Sequence, residues 1–380
     1  MNKREYKTII IGAGASGLML GTKLEKDFII LEKNAKVGAK IAISGGGRCN
    51  FTNESVSADN YLGDSAFVDK VISAFTVDDM LSLARKWNVP FVVQKNRQFF
   101  CKDSAMELLV PMTKSIESSR ISLNTEVLDV EYQDGMFKVE SSKGAFYSKK
   151  LVVASGGLSY SSIGATDVGY RIAQKFGHKI TPCAPALVGF TVQPGEAWFK
   201  ELSGVSVFAR VTVGGKSFED NILFAHKGIS GPAILNASLY WKKGSITIDF
   251  LPNLDIDKAL AGGIKQVTTV LGLPKRVTKA YLDFSSMQDK PIDKLTQDEK
   301  DAIRRLKNYQ FPPAGTFGYT KAEITKGGVC TDEVDADTME SRLQKGLYFL
   351  GEVLDVSGEL GGYNFHFAFA SAIKCAASVK

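Results

Sequence analysis

Three glycines near the start of the chain, Gly12, Gly14 and Gly17, have the spacing Gly-x-Gly-x-x-Gly. In a strand–turn–helix unit this spacing serves dinucleotide binding. The first glycine permits a tight turn, the second lets the backbone approach a pyrophosphate, and the third lets the helix pack on the sheet. The helix N-terminus, at Ala15 and Ser16, would offer free N–H groups and a partial positive charge to phosphates. A glycine-rich turn that binds no nucleotide is the alternative.

The residues around this turn have the pattern of a βαβ unit. A β-branched run at 8–11 is typical of a buried parallel strand, 18–24 has helical character, and 28–31 predicts a second buried strand. That strand leads into Glu32, about 20 residues beyond the first glycine, where an acidic side chain accepts hydrogen bonds from ribose hydroxyls. A carboxylate there would repel a 2′-phosphate, so we expect that the site does not hold NADP.

The stretch after Glu32 is rich in glycine and polar residues, and it predicts an exposed loop with free N–H donors for a flat or charged ligand. Arg48 is suited to bind a phosphate or a substrate carboxylate. For Cys49 we weigh a redox role against a packing role and favour packing. A flexible surface loop is the alternative for the whole stretch. The candidate cofactor-binding residues here are Lys33, Lys40, Ser44, Gly46, Gly47, Arg48, Cys49 and Asn50.

Four segments together resemble the aminoacetone oxidase-like FAD-binding family of bacterial flavoproteins. They are KVGAKIAISGGGRCNFTN, LVVASGGLSYSSIGATDVGYRIAQKFGH, FAHKGISGPAILNAS and YFLGEVLDVSGELGGYNFHFAFASA, and they extend the likeness over the whole chain. The resemblance implies an α/β fold in which a Rossmann-like domain binds FAD non-covalently. It also implies that a substrate-side insertion interrupts this domain. Members of the family differ in substrate, so the resemblance specifies the cofactor better than the reaction.

Two further strands, at 151–153 and 347–350, run into small residues that let the chain pass close to a cofactor. The resemblance assigns Glu352 to the ribityl chain of the flavin. A long apolar helix from Tyr363 would aim its N–H groups at the flavin pyrimidine edge and stabilise negative charge there. An ordinary C-terminal helix is the alternative. The candidate residues of these segments are Ala154, Ser155, Gly156, Gly351, Glu352, Gly362, Tyr363 and Asn364.

The middle of the chain has strand and hairpin patterns. Alternating residues around Asp134-Gly135 predict a β-hairpin. Its Val127 is a candidate for backbone contact with adenine, and an ordinary sheet residue is the alternative. Short strands with glycine turns then predict an inserted antiparallel sheet or small barrel, followed by a charged helical region. We expect an FAD-binding domain of 1–186 and 322–380, an inserted β domain of 187–252 and 311–321, and a helical subdomain of 253–310.

The inserted region contains His226 and Lys227, followed by a glycine turn and by Pro232, which suits the first turn of a helix. One interpretation places the pair over the flavin face as the catalytic acid/base or a substrate anchor, since an imidazole exchanges protons near neutral pH. The other is a tight inter-domain turn with a solvated lysine.

The composition excludes several classes of protein. The 47 Lys and Arg residues against 41 Asp and Glu give a net charge of +6. This excess suits an anionic ligand but is too small and dispersed to indicate nucleic-acid binding. Five widely spaced cysteines and three histidines predict neither a disulfide framework nor a metal site. We find no signal peptide or bilayer-spanning run and expect a cytoplasmic protein without a membrane partner.

These observations predict an FAD-dependent oxidoreductase acting on a small molecule. No second Gly-x-Gly-x-x-Gly motif is present for a nicotinamide cofactor, so oxidation of an amine with reoxidation by O₂ is favoured over reduction by a stably docked NAD(P)H. NADH as a transient electron donor needs no such motif, so a reductase stays open. Flavin-dependent modification of a nucleic acid such as tRNA is a further alternative, but it would need a basic stripe with exposed aromatic residues. The last alternative is a protein that binds flavin without catalysing a reaction. We expect no nucleic-acid partner, and the oligomeric state stays open.

Overall fold

The computed structural model describes residues 4–379. The chain divides into two compact units, one made of the residues up to 185 and from 324 onward, the other of 186–323. Each unit has its own buried apolar core. The helical segment expected at 253–310 shares its core with the inserted sheet, so these two parts form one unit.

Strands and α-helices are both distributed along the whole of the described chain. In chain order, the strands are β1 (Arg4–Ile11), β2 (Phe28–Leu31), β3 (Asn50–Asn53), β4 (Tyr61–Leu62), β5 (Phe91–Val93), β6 (Gln98–Cys101), β7 (Ile121–Ser122), β8 (Val127–Gln133), β9 (Met136–Ser141), β10 (Gly144–Val153), β11 (Ile180–Ala186), β12 (Phe190–Val192), β13 (Ser206–Val213), β14 (Lys216–Ala225), β15 (Gly228–Ser230), β16 (Ile246–Asp249), β17 (Tyr309–Phe311), β18 (Pro313–Thr316), β19 (Ile324–Val329), β20 (Leu347–Phe349) and β21 (Ser357–Gly358). The helices are α1 (Ala15–Gly21), α2 (Ala39–Gly47), α3 (Ser65–Ile72), α4 (Val77–Lys86), α5 (Met106–Lys114), α6 (Val168–Lys175), α7 (Trp198–Glu201), α8 (Pro232–Tyr240), α9 (Ile256–Ala259), α10 (Val267–Val270), α11 (Lys275–Phe284), α12 (Gln297–Arg304) and α13 (Tyr363–Val379).

The main sheet of the first unit has the order β7-β2-β1-β10-β9-β8, and β20 also pairs with β10. Strands β7, β2, β1, β10 and β20 are parallel to one another. Their apolar runs, such as Ile9–Ile11, are buried because parallel strands are covered on both faces. The carboxyl ends of these strands therefore lie at one edge, which is where open α/β sheets bind ligands.

The predicted hairpin is confirmed as β8 and β9. Asp134 and Gly135 form its two-residue turn with φ values of 53° and 77°. Both values are left-handed, as a type I′ turn requires, and Asp-Gly is among the sequences that adopt it most readily. The predicted helix after the glycine turn exists, but it begins at Ala15 and ends at Gly21.

The second unit contains a seven-stranded sheet in the order β17-β16-β13-β14-β15-β12-β18. All its pairings are antiparallel. Only Pro312 separates the two edge strands, β17 and β18, so the sheet curves until its edges approach each other. The expectation of an inserted antiparallel, barrel-like sheet is confirmed.

Among residues 4–379 no helix combines the length and apolar character needed to cross a bilayer.

Candidate functional site

The glycine turn after β1 is tightly packed on one side and open on the other. Gly12 has a φ of +102°, and a Cβ there would lie 2.5 Å from the carbonyl oxygen of Ala154. A Cβ on Gly17 would overlap the carbonyl oxygen of Gly12, so only glycine lets α1 begin this close to the strand. A Cβ on Gly14, in contrast, would meet no atom within 4 Å. Gly14 therefore presents bare backbone to the space in which a pyrophosphate is expected.

Three separate strand ends meet at this turn. The N–H group of Ala154, after β10, donates to the carbonyl oxygen of Ile11, at the end of β1, over 2.9 Å. Gly351, after β20, lies against Ser16, since a Cβ there would be 2.8 Å from Ser16 Oγ. Within the described chain no side chain caps α1, so the N–H groups of Ala15 and Ser16 stay available to an anion. Residues from three distant parts of the sequence thus line one edge of the sheet.

The same edge continues through Ser155 and Gly156. Gly156 has a φ of +73°, and a Cβ there would meet no atom within 4 Å, so its backbone is exposed like that of Gly14. The hydroxyl of Ser155 points to its own turn and lies 3.5 Å from the carbonyl oxygen of Gly156. Both residues lie where the sequence predicts contact with the cofactor, and that contact stays a prediction.

Glu32 follows β2 directly, and only 8% of its surface is exposed. Its Oε2 accepts a hydrogen bond from the N–H of Ala13 at 2.7 Å, and its Oε1 accepts one from the N–H of Asn34 at 2.8 Å. These bonds hold the carboxylate beside the glycine turn, as a ribose-binding acid requires. Each carboxylate oxygen accepts more than one hydrogen bond, so both keep capacity for ribose hydroxyls.

Lys33 and Val127 lie near this end of β2. The Nζ of Lys33 pairs with Glu126 at 2.9 Å, so its charge is partly neutralised by a neighbour in the chain. Val127 is buried in the β8–β9 pair. The N–H of Thr125 donates to the carbonyl oxygen of Glu32 at 2.8 Å, which brings the segment before β8 alongside β2. The structure therefore places Val127 near the expected adenine end, while its contact with adenine stays a prediction.

The stretch that the sequence predicted to be an exposed loop begins as a helix at Ala39, which the prediction missed, but Gly45 and Gly46 have non-helical backbone and are exposed, as predicted. The helix begins at Ala39 and is broken at Ser44, where ψ is 149°. The glycines at 45–47 then take φ values of 55°, 66° and 85°, which glycine adopts without strain. A Cβ on Gly46 would meet no atom within 4 Å, whereas one on Gly47 would be 3.9 Å from a carbonyl oxygen. The open glycine backbone is thus present, but a helix positions it.

Arg48 and Cys49 follow this helix and have different surroundings. The guanidinium of Arg48 lies 5.5 Å from the ring centroid of Phe100, a cation–π contact. Cys49 is fully buried, and its carbonyl oxygen accepts the N–H of Cys101 at 3.3 Å. Burial raises the pKa of the Cys49 thiol well above its usual value. Reactive cysteines have a lowered pKa and access to solvent, so the geometry favours a packing role for Cys49.

Lys40 and Glu352 form an ion pair that the sequence did not anticipate. The Nζ of Lys40 lies 2.6 Å from Oε2 of Glu352. The other oxygen, Oε1, accepts the N–H of Thr325 at 2.9 Å. The resemblance assigned Glu352 to the ribityl chain, and the structure shows that both of its oxygens already have partners in the chain. Glu352 can therefore meet the ribityl chain only through its remaining acceptor capacity.

Thr325 organises the turn after β10, and the sequence analysis missed it. Its buried hydroxyl accepts the N–H groups of Leu158 and Ser159 at 2.8 Å and 3.1 Å. Through its own N–H, Thr325 also holds Glu352. Nothing in the local sequence distinguishes Thr325 from an ordinary strand threonine, so only the fold reveals that it connects two of the predicted cofactor segments.

The start of α13 is fixed by contacts with β3. With its amide oxygen toward α13, Asn50 accepts the N–H of Gly362 at 3.2 Å. Gly362 has a φ of +91°, and a Cβ there would lie 2.7 Å from the backbone of Thr52. The predicted helix thus begins where the sequence placed it, at Tyr363, because glycine lets the chain pass close to β3.

Tyr363 and Asn364 shape the first turn of α13. The carbonyl oxygen of Tyr363 accepts the hydroxyl of Tyr61 at 2.9 Å. The side chain of Asn364 accepts the N–H of Gly358 and donates to its carbonyl oxygen, both at 2.8 Å. The amide of Asn364 therefore orients the turn before the helix, and its binding role toward a flavin stays a prediction.

His226 and Lys227 are the two turn residues between β14 and β15, and both are exposed. Gly228 follows with a φ of +156°, and a Cβ there would overlap the carbonyl oxygen of Phe190. This close approach explains the glycine at that position. Because both side chains belong to the second unit, a role toward a flavin held by the first unit stays a prediction.

The residues of the first unit fit FAD. Three glycines, Gly14, Gly46 and Gly156, present backbone to open space, as close passage along a dinucleotide requires. An uncapped helix N-terminus suits the pyrophosphate, and the carboxylate of Glu32 suits a ribose. Among residues 4–379 no group of three or more His, Cys, Asp or Glu side chains could hold a metal ion.

Comparison with known proteins agrees with this assignment. Residues 6–378 match the family model described as HI0933-like protein Rossmann domain. The chain is 39% identical to a ribosomal RNA dihydrouridine synthase of Haemophilus influenzae, with 98% of each chain covered. It is 36% identical to the Escherichia coli protein of the same name, covering 98% of this chain and 97% of that one. A 3-dehydro-bile acid delta(4,6)-reductase of Clostridium scindens is 28% identical, covering 95% and 96%.

A solved structure supports the fold alone. Mycobacterium smegmatis Sdh1, in its apo form, aligns with a TM-score of 0.51 at 14% identity, covering 100% of this chain and 68% of that one. The open strand-end edge, the cofactor fit and the match over nearly the whole chain lead to one conclusion. The chain belongs to the HI0933-like Rossmann family and is an FAD-dependent oxidoreductase.

Proposed function

We propose that the protein reduces a carbon–carbon double bond conjugated to a carbonyl group, and that its substrate is a uracil ring in ribosomal RNA. The observation that carries this proposal is the likeness to two ribosomal RNA dihydrouridine synthases, at 39% and 36% identity over almost the full length of both partners. The name of the bile-acid relative also describes a reductase of double bonds. These names favour reduction over the amine oxidation that the aminoacetone oxidase resemblance suggests.

Reduction of such a bond needs a hydride on one carbon and a proton on the other. FAD supplies the hydride when it is bound and has been reduced by a donor such as NAD(P)H. The chain must hold the cofactor, orient the ring and deliver the proton. In this proposal the strand ends around Gly14 and Gly156 bind the dinucleotide, and Glu32 binds a ribose.

The proton donor we propose is in the turn between β14 and β15. The exposed side chains of His226 and Lys227 both carry N–H groups that can donate to a substrate carbon or carbonyl oxygen. Their short hairpin is fixed by the close packing of Gly228 against β12, so the pair is presented on a defined scaffold.

The charge of the chain is compatible with an RNA substrate. The net charge is +6 and the sequence pI is about 8.8. The second unit, residues 186–323, contains 18 Lys and Arg against 14 Asp and Glu, so it carries most of this excess. A modest positive charge supports weak, salt-dependent attraction of phosphates. The proposal therefore departs from the expectation that no nucleic acid is bound, which was based on the small size of the excess.

A small enone is the second candidate substrate. The 28% identity to the bile-acid reductase over 95% of this chain favours it, because that relative acts on a small molecule with the same kind of bond.

The test is an anaerobic turnover assay with the FAD-loaded protein, NADH or NADPH, and ribosomal RNA from cells that lack the gene. We expect dihydrouridine, measured by mass spectrometry of digested nucleosides, to increase in step with NAD(P)H oxidation. Reduction of a steroid enone without any dihydrouridine would favour the second candidate. Bleaching of the flavin by an amine, followed by reoxidation with O₂, would overturn the reductase proposal.

A further inference from the structure

The second unit contains a cavity of about 360 Å³ between α11, the end of α12 and β17. Aromatic side chains from Tyr281, Phe284 and Tyr309 form part of its wall, and polar groups of Glu196, Arg305 and Gln310 face it. All of these residues lie within 186–323, and none is among the residues predicted to bind FAD. The volume is in the range of pockets that bind small ligands.

Phe284 gives the cavity an open aromatic surface. Nearly half of it is exposed, at 48%, although it is the last residue of a helix that packs on a core. It stacks on the buried ring of Trp198, with centroids 5.7 Å apart and planes inclined by 26°. A ring that is rigidly supported on one face and open on the other is suited to stack a planar ligand.

Glu196 supplies an oriented acceptor at the same place. The hydroxyl of Tyr309 and the indole N–H of Trp198 both donate to its Oε2, the latter at 3.3 Å. Among the described residues both of these hydrogen bonds are made by Oε2, so the carboxylate keeps acceptor capacity on Oε1 for a ligand N–H. Burial raises the pKa of Glu196, as expected for a carboxyl group surrounded by aromatic rings.

Arg305 decides which ligand fits. Arg305 lines the same cavity as Glu196, and its positive charge disfavours a cationic amine, although the carboxylate and the aromatic wall alone would attract one. A neutral ring with an N–H donor beside a carbonyl acceptor satisfies both groups, since the carboxylate accepts and the guanidinium donates. Uracil and guanine have such an edge.

We propose that this cavity binds a base of single-stranded RNA, which stacks on Phe284 and donates an N–H to Oε1 of Glu196. The inference rests on the proposed function, because it takes RNA as the substrate. It adds a contact in the second unit with a base other than the uracil that is reduced. The base held there anchors the strand, and its identity contributes to the choice of substrate.

The test measures binding of a fluorescein-labelled oligouridylate to the FAD-loaded protein by fluorescence anisotropy. Phe284→Leu keeps an apolar side chain but removes the ring, and we expect it to weaken binding about 10-fold or more. Phe284→Tyr restores a ring and should bind like the wild type. Phe208→Leu is the matched control, because Phe208 is another exposed aromatic side chain of the second unit, at 37%. It should leave binding unchanged.

The inference is overturned if the wild type does not bind the oligonucleotide, or if Phe284→Leu binds as tightly as the wild type. It is also overturned if Phe208→Leu weakens binding equally, because the loss would then be unspecific. Dihydrouridine formation by the wild type is measured separately. Turnover of ribosomal RNA with unchanged binding by Phe284→Leu would remove the inference and keep the proposed function. Binding that depends on the ring of Phe284, without turnover of ribosomal RNA by the wild type, would keep the inference that the cavity binds a base and would remove the proposed reaction.

Discussion

Stability of the first unit should depend on pH through His366, which lies in the first turns of α13 and is 1% exposed. Its Nε2 lies 2.8 Å from the carbonyl oxygen of Phe75, and its Nδ1 lies 2.9 Å from the hydroxyl of Thr52. A carbonyl only accepts, so the proton is on Nε2 and the ring is neutral when Thr52 donates to Nδ1. Burial is the main reason that the pKa of His366 falls to about 4, and the hydrogen bond to Phe75 and the nearby Asp79 oppose this shift.

The direction and size of this pH effect on stability follow from the difference between the pKa of His366 in the folded chain and in the unfolded chain. The folded pKa lies below the unfolded value of about 6.5, so the unfolded chain binds more protons in acid. The contribution of His366 is complete above about pH 6.5 and is lost as the pH falls toward 4. Each unit of pKa shift corresponds to about 1.4 kcal/mol, so the full loss is about 3.4 kcal/mol, of which about 2 kcal/mol occurs between pH 7 and pH 5.

Urea unfolding followed by circular dichroism, at fixed excess FAD, measures this loss in the wild type and in His366→Gln. The variant is expected to be less stable at pH 7, but its disadvantage should shrink by about 2 kcal/mol at pH 5 because glutamine does not titrate. The pKa of the buried His178 is also lowered by burial, and comparing the two proteins cancels its contribution. An equal difference between the proteins at pH 7 and pH 5 would refute the reasoning.

Three other predictions concern the cofactor and the turnover. Glu32→Ala removes a charged hydrogen-bond acceptor and should lower FAD affinity roughly 10- to 100-fold in a flavin fluorescence titration; unchanged retention would remove Glu32 from the ribose role. Gly14→Val should lower FAD content while the apoprotein melts at its normal temperature, because that position is open, whereas Gly17→Val should lower the melting temperature itself, because a Cβ there overlaps backbone; equal melting temperatures for the two variants would contradict this. His226→Ala and Lys227→Ala should keep normal FAD content and lose at least about 10-fold in kcat, as removal of a general acid does; normal turnover in both would exclude the pair from catalysis.

The sequence predicted the parts of the fold that depend on local patterns. The spacing from Gly12 to Glu32 identified the first βαβ unit, because each glycine meets a steric demand within that unit. The dipeptide Asp134-Gly135 identified the β8–β9 hairpin, because few other dipeptides readily place two successive residues in the left-handed region. The start of α13 at Tyr363 was found for a similar reason, since glycines precede it.

The parts that the sequence missed depend on contacts between distant residues. Nothing near Lys40 indicates that it pairs with Glu352, or that Thr325 holds the same carboxylate. The sequence prediction missed the helix in α2 because the stretch is rich in glycine. That composition received more weight than the short apolar pattern before the glycines. Cys49 and Cys101 are likewise far apart in sequence, and only strand pairing makes them neighbours.

The way the inserted unit leaves and rejoins the chain has an evolutionary consequence. Strands β11 and β19, which precede and follow it, pair in a two-stranded sheet, and the N–H of Cys330 donates to the carbonyl oxygen of Lys179 at 3.0 Å. Within the insert itself, the N–H of Glu323 donates to the carbonyl oxygen of Leu187 at 3.2 Å. The chain segments that enter and leave the insert are therefore hydrogen-bonded to each other on both sides of the junction. Changes of sequence or length inside the insert would leave the pairing of β11 with β19 in place, so we expect the insert to vary among related proteins more than the strands that flank it.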